Sequence, residues 1–145
     1  MQVNIKKLSP DAKIPSYGSA EAAGADLYAL TEENVIIENG QTKLIHTGIA
    51  MEIPKGYVGL IYARSGLATK KGLAPANKVG VIDSDYRGEI MVALHNHSGI
   101  SQTVENGERI AQIVLTPYLS ATFTETDMLS DTERGAGGFG STGKK

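Results

Sequence analysis

Short runs of apolar and β-branched residues, separated by turn residues, recur along most of this chain. Runs of this length with turn residues between them are typical of β-strands. The predicted strands are residues 34–38, 42–47, 49–53, 57–63, 79–83, 89–96, 101–105 and 109–115. Helical signal is scarce, and the best candidate is a turn or two near residues 66–71. The pattern predicts one all-β domain over residues 1–133, an antiparallel sandwich or barrel.

Two Asn-Gly pairs mark turns between the predicted strands. Asn39-Gly40 separates the runs 34–38 and 42–47. Asn-Gly tolerates the positive φ angles of a type I′ turn, so this pair predicts a β-hairpin between the two runs. A second pair, Asn106-Gly107, precedes the last predicted strand.

Two carboxylates lie next to apolar residues, where burial could place them for chemistry. Asp83 follows Ile82 within residues 80–88, which we interpret as a hairpin that also carries Tyr86. Asp26 lies inside the apolar run AGADL, residues 23–27. Acidic residues near turns are usually turn formers. The two acids are therefore compatible with Mg²⁺ and water handling but do not establish either.

Arg64 and Ser65 follow the predicted strand 57–63, directly before the candidate helix. A guanidinium group, a hydroxyl and free backbone amides together suit the binding of an anion. A surface arginine at a strand end is the commoner explanation, so the motif alone leaves both interpretations open.

Residues 134–145, RGAGGFGSTGKK, break the strand pattern. Five of them are glycine and only Phe139 is large and apolar, so burial cannot hold the segment against a core. We expect a flexible, glycine-rich C-terminal tail. A Walker A motif is excluded because Lys145 stands where a hydroxyl should bind Mg²⁺. Backbone amides could still surround phosphate oxygens, and an inert terminus is the alternative.

Composition narrows the possible functions. Hydrophobic residues make up 41% of the chain and charged residues 21%, which is ordinary for a soluble globular protein. The net charge of −2 provides no bulk positive field, so we expect neither a nucleic-acid nor a membrane partner. The absence of cysteine excludes disulfides and thiolate chemistry. The N-terminal residues do not resemble a signal peptide, and we expect a cytoplasmic protein.

Histidines and serines offer no catalytic pattern of their own. His95 and His97 are predicted on one face of a strand, without a third ligand nearby, and His46 is distant in sequence. Zinc sites need at least three protein ligands, so we predict no histidine metal site. No G-x-S-x-G motif occurs, which leaves an α/β-hydrolase triad without support.

Five segments resemble, in order, the five motifs of the trimeric dUTPase (deoxyuridine 5'-triphosphate nucleotidohydrolase) family. They are AGADL at 23–27, ARSGLA at 63–68, GVIDSDYRGE at 80–89, ERIAQ at 108–112 and RGAGGFGSTG at 134–143. The resemblance covers essentially the entire chain, and the third and fifth motifs are specific. It implies a jelly-roll subunit of a homotrimer whose active sites combine three chains. The implied reaction is hydrolysis of dUTP to dUMP and pyrophosphate with Mg²⁺, which limits uracil in DNA and supplies dUMP for dTMP synthesis.

The resemblance also implies a role for each matching residue. Asp83 would orient the attacking water, Asp26 would act through waters on a Mg²⁺ ion chelated mainly by the phosphates, and Tyr86 would pack against the deoxyribose and exclude a 2′-hydroxyl. The other implied substrate contacts are Arg64, Ser65, Gly66 and Gln112 for the phosphate chain, Asn77, Val79, Gly80, Val81 and Ile82 for the uracil edge, and Arg134, Phe139, Gly140, Ser141 and Thr142 in the tail, with Phe139 over the uracil.

Two alternatives compete with a dUTP pyrophosphatase. The dCTP deaminases resemble it in fold, but they carry a catalytic glutamate where this chain has Ala93, and they lack the GGFGSTG tail. The second alternative is a non-catalytic jelly-roll module that binds nucleotides or a partner protein. The presence of Asp83, Arg64, Gln112 and Phe139 argues against an inactive relative.

Overall fold

The structure is a computed structural model that describes residues 1–138, and these residues form twelve β-strands and one short helix. The strands before the helix are β1 (Asn4–Lys7), β2 (Ser16–Tyr17), β3 (Ala25–Tyr28), β4 (Val35–Ile37), β5 (Thr42–His46), β6 (Ile49–Glu52) and β7 (Tyr57–Tyr62). Helix α1 (Ser65–Lys71) is followed by β8 (Leu73–Pro75), β9 (Gly80–Ile82), β10 (Met91–Asn96), β11 (Gln102–Val104) and β12 (Arg109–Pro117).

The strands form an antiparallel β-sandwich of the jelly-roll type. The largest sheet has the order β2-β3-β12-β7-β9, and a three-stranded sheet has the order β5-β10-β8. Two further pairs are β1-β6 and β11-β4. Apolar side chains from both larger sheets meet in one core, including Leu27 of β3, Ile113 of β12 and Leu94 of β10. This alternation of inward apolar residues with outward polar ones is what a sandwich requires.

The prediction of an all-β fold is confirmed. Each of the eight predicted strands overlaps an observed strand, and α1 begins one residue before the predicted helix region. Four strands were missed, namely β1, β2, β3 and β8, which are two to four residues long. Among residues 1–138, no helix is long and apolar enough to cross a bilayer.

The hairpin predicted at Asn39-Gly40 is wrong. Strand β4 pairs with β11 and strand β5 pairs with β10, so the two strands on either side of the turn belong to different sheets. A turn is present, because the Gln41 amide donates to the Glu38 oxygen at 2.9 Å. Gly40 has a φ of 77°, but Asn39 has no positive φ. A type I′ turn needs a positive φ at both positions, so this turn redirects the chain instead of pairing the strands.

The hairpin predicted over residues 80–88 is wrong for the same reason. Strand β9 pairs only with β7, whereas β10 pairs with β5 and β8. The turn itself exists, because the Tyr86 amide donates to the Asp83 oxygen at 3.2 Å. The chain then leaves the sheet of β9, and the Ile90 amide donates to the oxygen of Ile49 in β6 at 2.9 Å.

Candidate active site

One group of predicted residues gathers around the carboxylate of Asp26. This residue is in β3, and its side chain is 11% exposed. Its Oδ1 accepts a hydrogen bond from Arg64 Nε at 2.7 Å, and its Oδ2 accepts one from Arg109 Nη1 at 3.1 Å. One buried negative charge thus holds two guanidinium groups, which leaves a net local charge of about +1. We call Asp26, Arg64, Arg109 and Gln112 the arginine cluster.

Arg109 is a candidate site residue that the sequence interpretation missed. The sequence did contain a signal for Arg109, because this residue belongs to the ERIAQ segment, residues 108–112. The pairing of β12 with β3 shifts register between Arg109 and Ala111, and a bulge of this kind re-aims a side chain. Ile110 and Ala111 are completely buried, while the Arg109 side chain is 50% exposed. The irregular strand therefore directs Arg109 towards Asp26.

Gln112 completes the cluster in the middle of β12. It lies opposite Asp26 on one side and opposite Tyr62 on the other. Its Nε2 donates to the backbone oxygen of Ala63 at 3.1 Å. A Cβ atom on Gly24 would lie 2.7 Å from Gln112 Oε1, so any side chain at this position would force the Gln112 amide to move. The glycine of the AGADL segment therefore leaves room for the Gln112 amide.

Ser65 and Gly66 begin helix α1 beside the cluster. Arg64 is the N-cap residue, no side chain caps the first turn, and no acidic residue lies in it. Both Ser65 and Gly66 are exposed, and a Cβ atom on Gly66 would meet nothing within 4 Å. The backbone at the start of α1 is therefore open to approach by another molecule.

A second group of predicted residues lines two adjoining cavities at β9. The smaller, of about 70 Å³, is lined by Asn77, Gly80, Val81 and Ile82 among others. Val79 precedes this strand, and its amide donates to the Asn77 oxygen at 2.7 Å in a tight turn. The larger cavity, of about 220 Å³, has Val81, Ile82, Asp83, Tyr86 and Glu89 in its wall. We call these the β9 cavities.

Two features of the β9 cavities bear on chemistry. Asp83 is exposed, so the burial expected for it is absent in the single chain, and its carboxylate is open to solvent. Ala93 lines the smaller cavity. A methyl group therefore stands where the deaminase resemblance would require a glutamate.

The arginine cluster and the β9 cavities are separate within one chain. Ile82 pairs with Gly59 in β7, so Asp83 lies near the start of β7, whereas Arg64 follows its end. At about 3.3 Å per residue, the two residues are about 20 Å apart along the strand direction. A single chain does not bring Asp83 together with Arg64 and Gln112.

The tail residues fall into two sets. Arg134 donates from Nε to the Gly137 oxygen at 2.8 Å, within its own segment. Phe139, Gly140, Ser141 and Thr142 lie outside the described residues.

The metal-ligand chemistry of the described residues fits an outer role for Mg²⁺. Among residues 1–138, no three His, Cys, Asp or Glu side chains converge on one point. Both oxygens of Asp26 already accept guanidinium hydrogen bonds. Such a carboxylate suits contact through water with an ion that is held by phosphate oxygens, as Mg²⁺ often is.

Comparisons with known proteins identify the same family by sequence and by structure. A family model described as dUTPase matches residues 10–143. The chain is 55% identical over 144 residues to a deoxyuridine 5'-triphosphate nucleotidohydrolase of Nautilia profundicola, covering 99% of this chain and 100% of the relative. It is 48% identical over 145 residues to the protein of that name in Hydrogenobaculum sp., covering 100% of both. A solved structure of Staphylococcus bacteriophage 80alpha dUTPase with dUPNHPP has a TM-score of 0.86 at 30% identity and covers 98% of each chain. The chain belongs to the dUTPase family.

Proposed function

We propose that the protein hydrolyses dUTP to dUMP and pyrophosphate. The observation that carries the proposal is the identity of 55%, over essentially the full length of both chains, to a protein named for this activity. The phage dUTPase with dUPNHPP, a dUTP analogue, supports the same substrate. In the cell this activity would limit uracil in DNA and supply dUMP for dTMP synthesis.

The arginine cluster is our proposed binding site for the triphosphate. Arg64 and Arg109 are oriented by Asp26 and retain further N–H groups that can donate to phosphate oxygens. The Gln112 amide and the open backbone at Ser65 and Gly66 add neutral donors. Phosphoryl transfer depends mostly on positioning and on neutralising charge, so such a set needs no covalent nucleophile.

The β9 cavities are our proposed binding site for the nucleoside. Asn77 and the backbone of residues 79–82 would read the edge of the uracil ring, and Tyr86 would pack against the deoxyribose. Asp83 would accept a proton from the water that attacks the α-phosphorus. Activation of this water needs a carboxylate within hydrogen-bond reach, and the exposed Asp83 lies in the wall of the larger cavity.

Mg²⁺ would supply further neutralisation of the phosphate charge when it is bound. Asp26 would orient waters of its hydration shell, while the triphosphate would provide its direct ligands. Arg134, Phe139, Gly140, Ser141 and Thr142 would close over the nucleotide and exclude bulk water.

We further propose that the active protein is a homotrimer. The arginine cluster and Asp83 are about 20 Å apart within one chain, so a neighbouring chain must bring them together. Large apolar side chains are also left without cover. They include Val81 at 60% exposure and, in the extended segment after β12, Leu119 at 98% and Phe123 at 94%. Apolar surface of this kind marks a contact with another protein chain.

The test is to incubate the protein with each dNTP and Mg²⁺, and to measure pyrophosphate and ammonia separately. We expect pyrophosphate from dUTP alone. Ammonia from dCTP would identify a deaminase, and binding of dUTP without either product would identify a non-catalytic module. The mass in solution, measured by sedimentation equilibrium, should equal three chains.

A further inference from the structure

The ring of Tyr86 is held by two residues that follow it in the chain. Its hydroxyl donates a hydrogen bond to the backbone oxygen of Glu89 at 2.9 Å. At Gly88, a Cβ atom would lie 2.6 Å from the ring carbon Cζ. Real Cβ atoms essentially never approach another atom so closely, so the ring occupies the space that a side chain at this position would need. The position of the ring therefore depends on both Gly88 and Glu89.

The Glu89 carboxylate is anchored to the turn between β5 and β6. Its Oε1 accepts hydrogen bonds from the amides of Gly48 at 2.7 Å and Thr47 at 3.2 Å, and its Oε2 lies 2.8 Å from His46 Nδ1. Burial acts to raise the pKa of Glu89, but the bonds to His46, Gly48 and Thr47 outweigh it, and the pKa lies below its ordinary value. The carboxylate is therefore ionised at neutral pH and remains bound to this turn.

The backbone beyond Glu89 is fixed as well. Ile90 is completely buried, and its amide donates to the Ile49 oxygen at 2.9 Å. Its own oxygen accepts a hydrogen bond from the Thr47 hydroxyl. The carbonyl group of Glu89 is thus fixed on one side by the bonds of the Glu89 carboxylate and on the other by the bonds of the Ile90 backbone. It therefore provides a fixed acceptor for the Tyr86 hydroxyl.

The same ring forms part of the wall of the larger β9 cavity, beside Val81 and Asp83. The cavity is small, with a volume of about 220 Å³. A shift of the Tyr86 ring by the width of one atom would therefore change the size of the sugar that the cavity accepts. Rejection of a substrate that is larger by one hydroxyl requires a wall that does not yield.

We propose that Gly88 and Glu89 are specificity-determining positioning residues, which hold the Tyr86 ring rigid so that a sugar carrying a 2′-hydroxyl is excluded. The inference rests on the proposed function, in which Tyr86 packs against the deoxyribose. Gly88 acts by leaving space for the ring, and Glu89 acts by fixing the carbonyl that accepts the phenol. Gly88 lines neither of the β9 cavities. Glu89 does line the larger one, but its carboxylate is bound to the Thr47 and Gly48 amides.

The experiment compares kcat/KM for dUTP with kcat/KM for UTP in the full chain and in its variants. Gly88→Ala is compatible with the backbone, because Gly88 does not have a positive φ, but its methyl displaces the ring. We expect the dUTP/UTP ratio to fall at least about tenfold in Gly88→Ala and in Glu89→Ala. Glu89→Gln keeps an oxygen for the two amides and should restore most of the ratio. Gly18→Ala is the control, because a Cβ atom there meets nothing within 4 Å.

Tyr86→Ala separates this inference from the proposed function. An unchanged ratio in Tyr86→Ala would mean that Tyr86 does not read the sugar, and the proposed role of that residue fails. A reduced ratio in Tyr86→Ala beside parental ratios in Gly88→Ala and Glu89→Ala would overturn the inference alone. If Glu89→Ala does not fold, Tyr86→Phe replaces it, because this variant keeps the ring and loses only the bond to Glu89. Its ratio should fall in the same direction, and a parental ratio would count against the inference.

Discussion

Asp26 shows how one buried acid can prepare a binding site for anions. Each of its oxygens accepts a guanidinium N–H, so Arg64 and Arg109 are ordered before any ligand arrives. Two long side chains that are already fixed lose less entropy on binding than free ones. A chain with a net charge of −2 thereby obtains a local positive site without a general positive field.

The single most decisive residue of the proposed chemistry is Asp83. In Asp83→Asn the amide cannot accept a proton from water, so we expect kcat to fall at least a thousandfold, near the upper range for loss of general base catalysis of about 10²–10⁴-fold. The Kd for dUTP, measured by calorimetry, should change little. Asp85→Asn is the matched control, because Asp85 is an exposed acid of the same turn. Parental kcat in Asp83→Asn would remove this residue from the mechanism.

Gly24 provides a test of the Gln112 position. In Gly24→Ala the new methyl would meet Gln112 Oε1 at 2.7 Å, and the flexible end of the glutamine can move away. We therefore expect a small change in thermal stability but a fall of about tenfold in kcat/KM, since the amide leaves its place in the arginine cluster. Steady-state kinetics and thermal melts of Gly24→Ala and Gly18→Ala measure both effects. Equal kcat/KM in the two variants would mean that Gln112 does not hold the substrate.

At the scale of elements, eight of the twelve strands could be predicted from the sequence, but their pairing partners could not. Residues 57–63 and 109–115 are rich in β-branched and other apolar side chains. This local pattern is sufficient to identify a strand. Asn39-Gly40 also gave the right turn position. It gave the wrong pairing, because the choice between a hairpin and a change of sheet depends on which distant strand covers β4 and β5. Packing in the core determines which strands pair, and the local sequence pattern carries no information about that packing.

Asn96, the last residue of β10, joins this strand to β4 and to the loop that follows β10. It is completely buried, and its Nδ2 donates to the oxygens of Ile37 in β4 and Ile100 at 2.7 Å each. Its Oδ1 accepts hydrogen bonds from the Ser98 amide at 2.9 Å and the Ser98 hydroxyl at 2.8 Å. All of the side chain's hydrogen-bonding groups are therefore satisfied, which explains why a polar residue is tolerated in the core.

In Asn96→Ala the Ile37 oxygen loses a buried hydrogen bond and the Ser98 amide loses a part-buried one. Each unsatisfied group costs about 1–3 kcal/mol, so we expect the free energy of unfolding to fall by about 2–4 kcal/mol. Urea denaturation at a fixed protein concentration measures the change, because assembly would make stability depend on concentration. Asn4→Ala is the control, since Asn4 bonds to Glu52 on the surface. A similar loss in both variants would contradict the structural role of Asn96.

At the scale of the whole molecule, the candidate residues could be predicted but their arrangement could not. The motifs identified Asp83 and Gln112, since residue type and order in the chain are enough to find them. The separation of about 20 Å follows from the register of β9 on β7, in which Ile82 faces Gly59. Register is a property of the folded sheet. The proposal that a neighbouring chain completes the site therefore has support from the structure as well as from the resemblance.

The role of residues 134–145 can be tested by shortening the chain. A protein that ends at Glu133 should keep the oligomeric state and melting temperature of the parent, because all of the core residues identified within residues 1–138 precede that point. Its kcat for dUTP should fall at least about tenfold. The reason is that the missing residues would stack a ring on the base, worth about 1–3 kcal/mol, donate to the phosphates and exclude water during attack.

Two further proteins determine which part of the tail is responsible. A chain that ends at Gly143 loses only the two final lysines and keeps the motif, so its kcat should match the parent. Phe139→Ala should reproduce part of the loss seen in the protein ending at Glu133, because it removes the stacking ring but leaves Arg134, Ser141 and Thr142 as donors. If the chain ending at Glu133 turns over dUTP at the parental rate, the tail does not act in catalysis. If that chain instead fails to form the parental assembly, the tail contributes to subunit contact, and loss of kcat would then follow from loss of the shared active site.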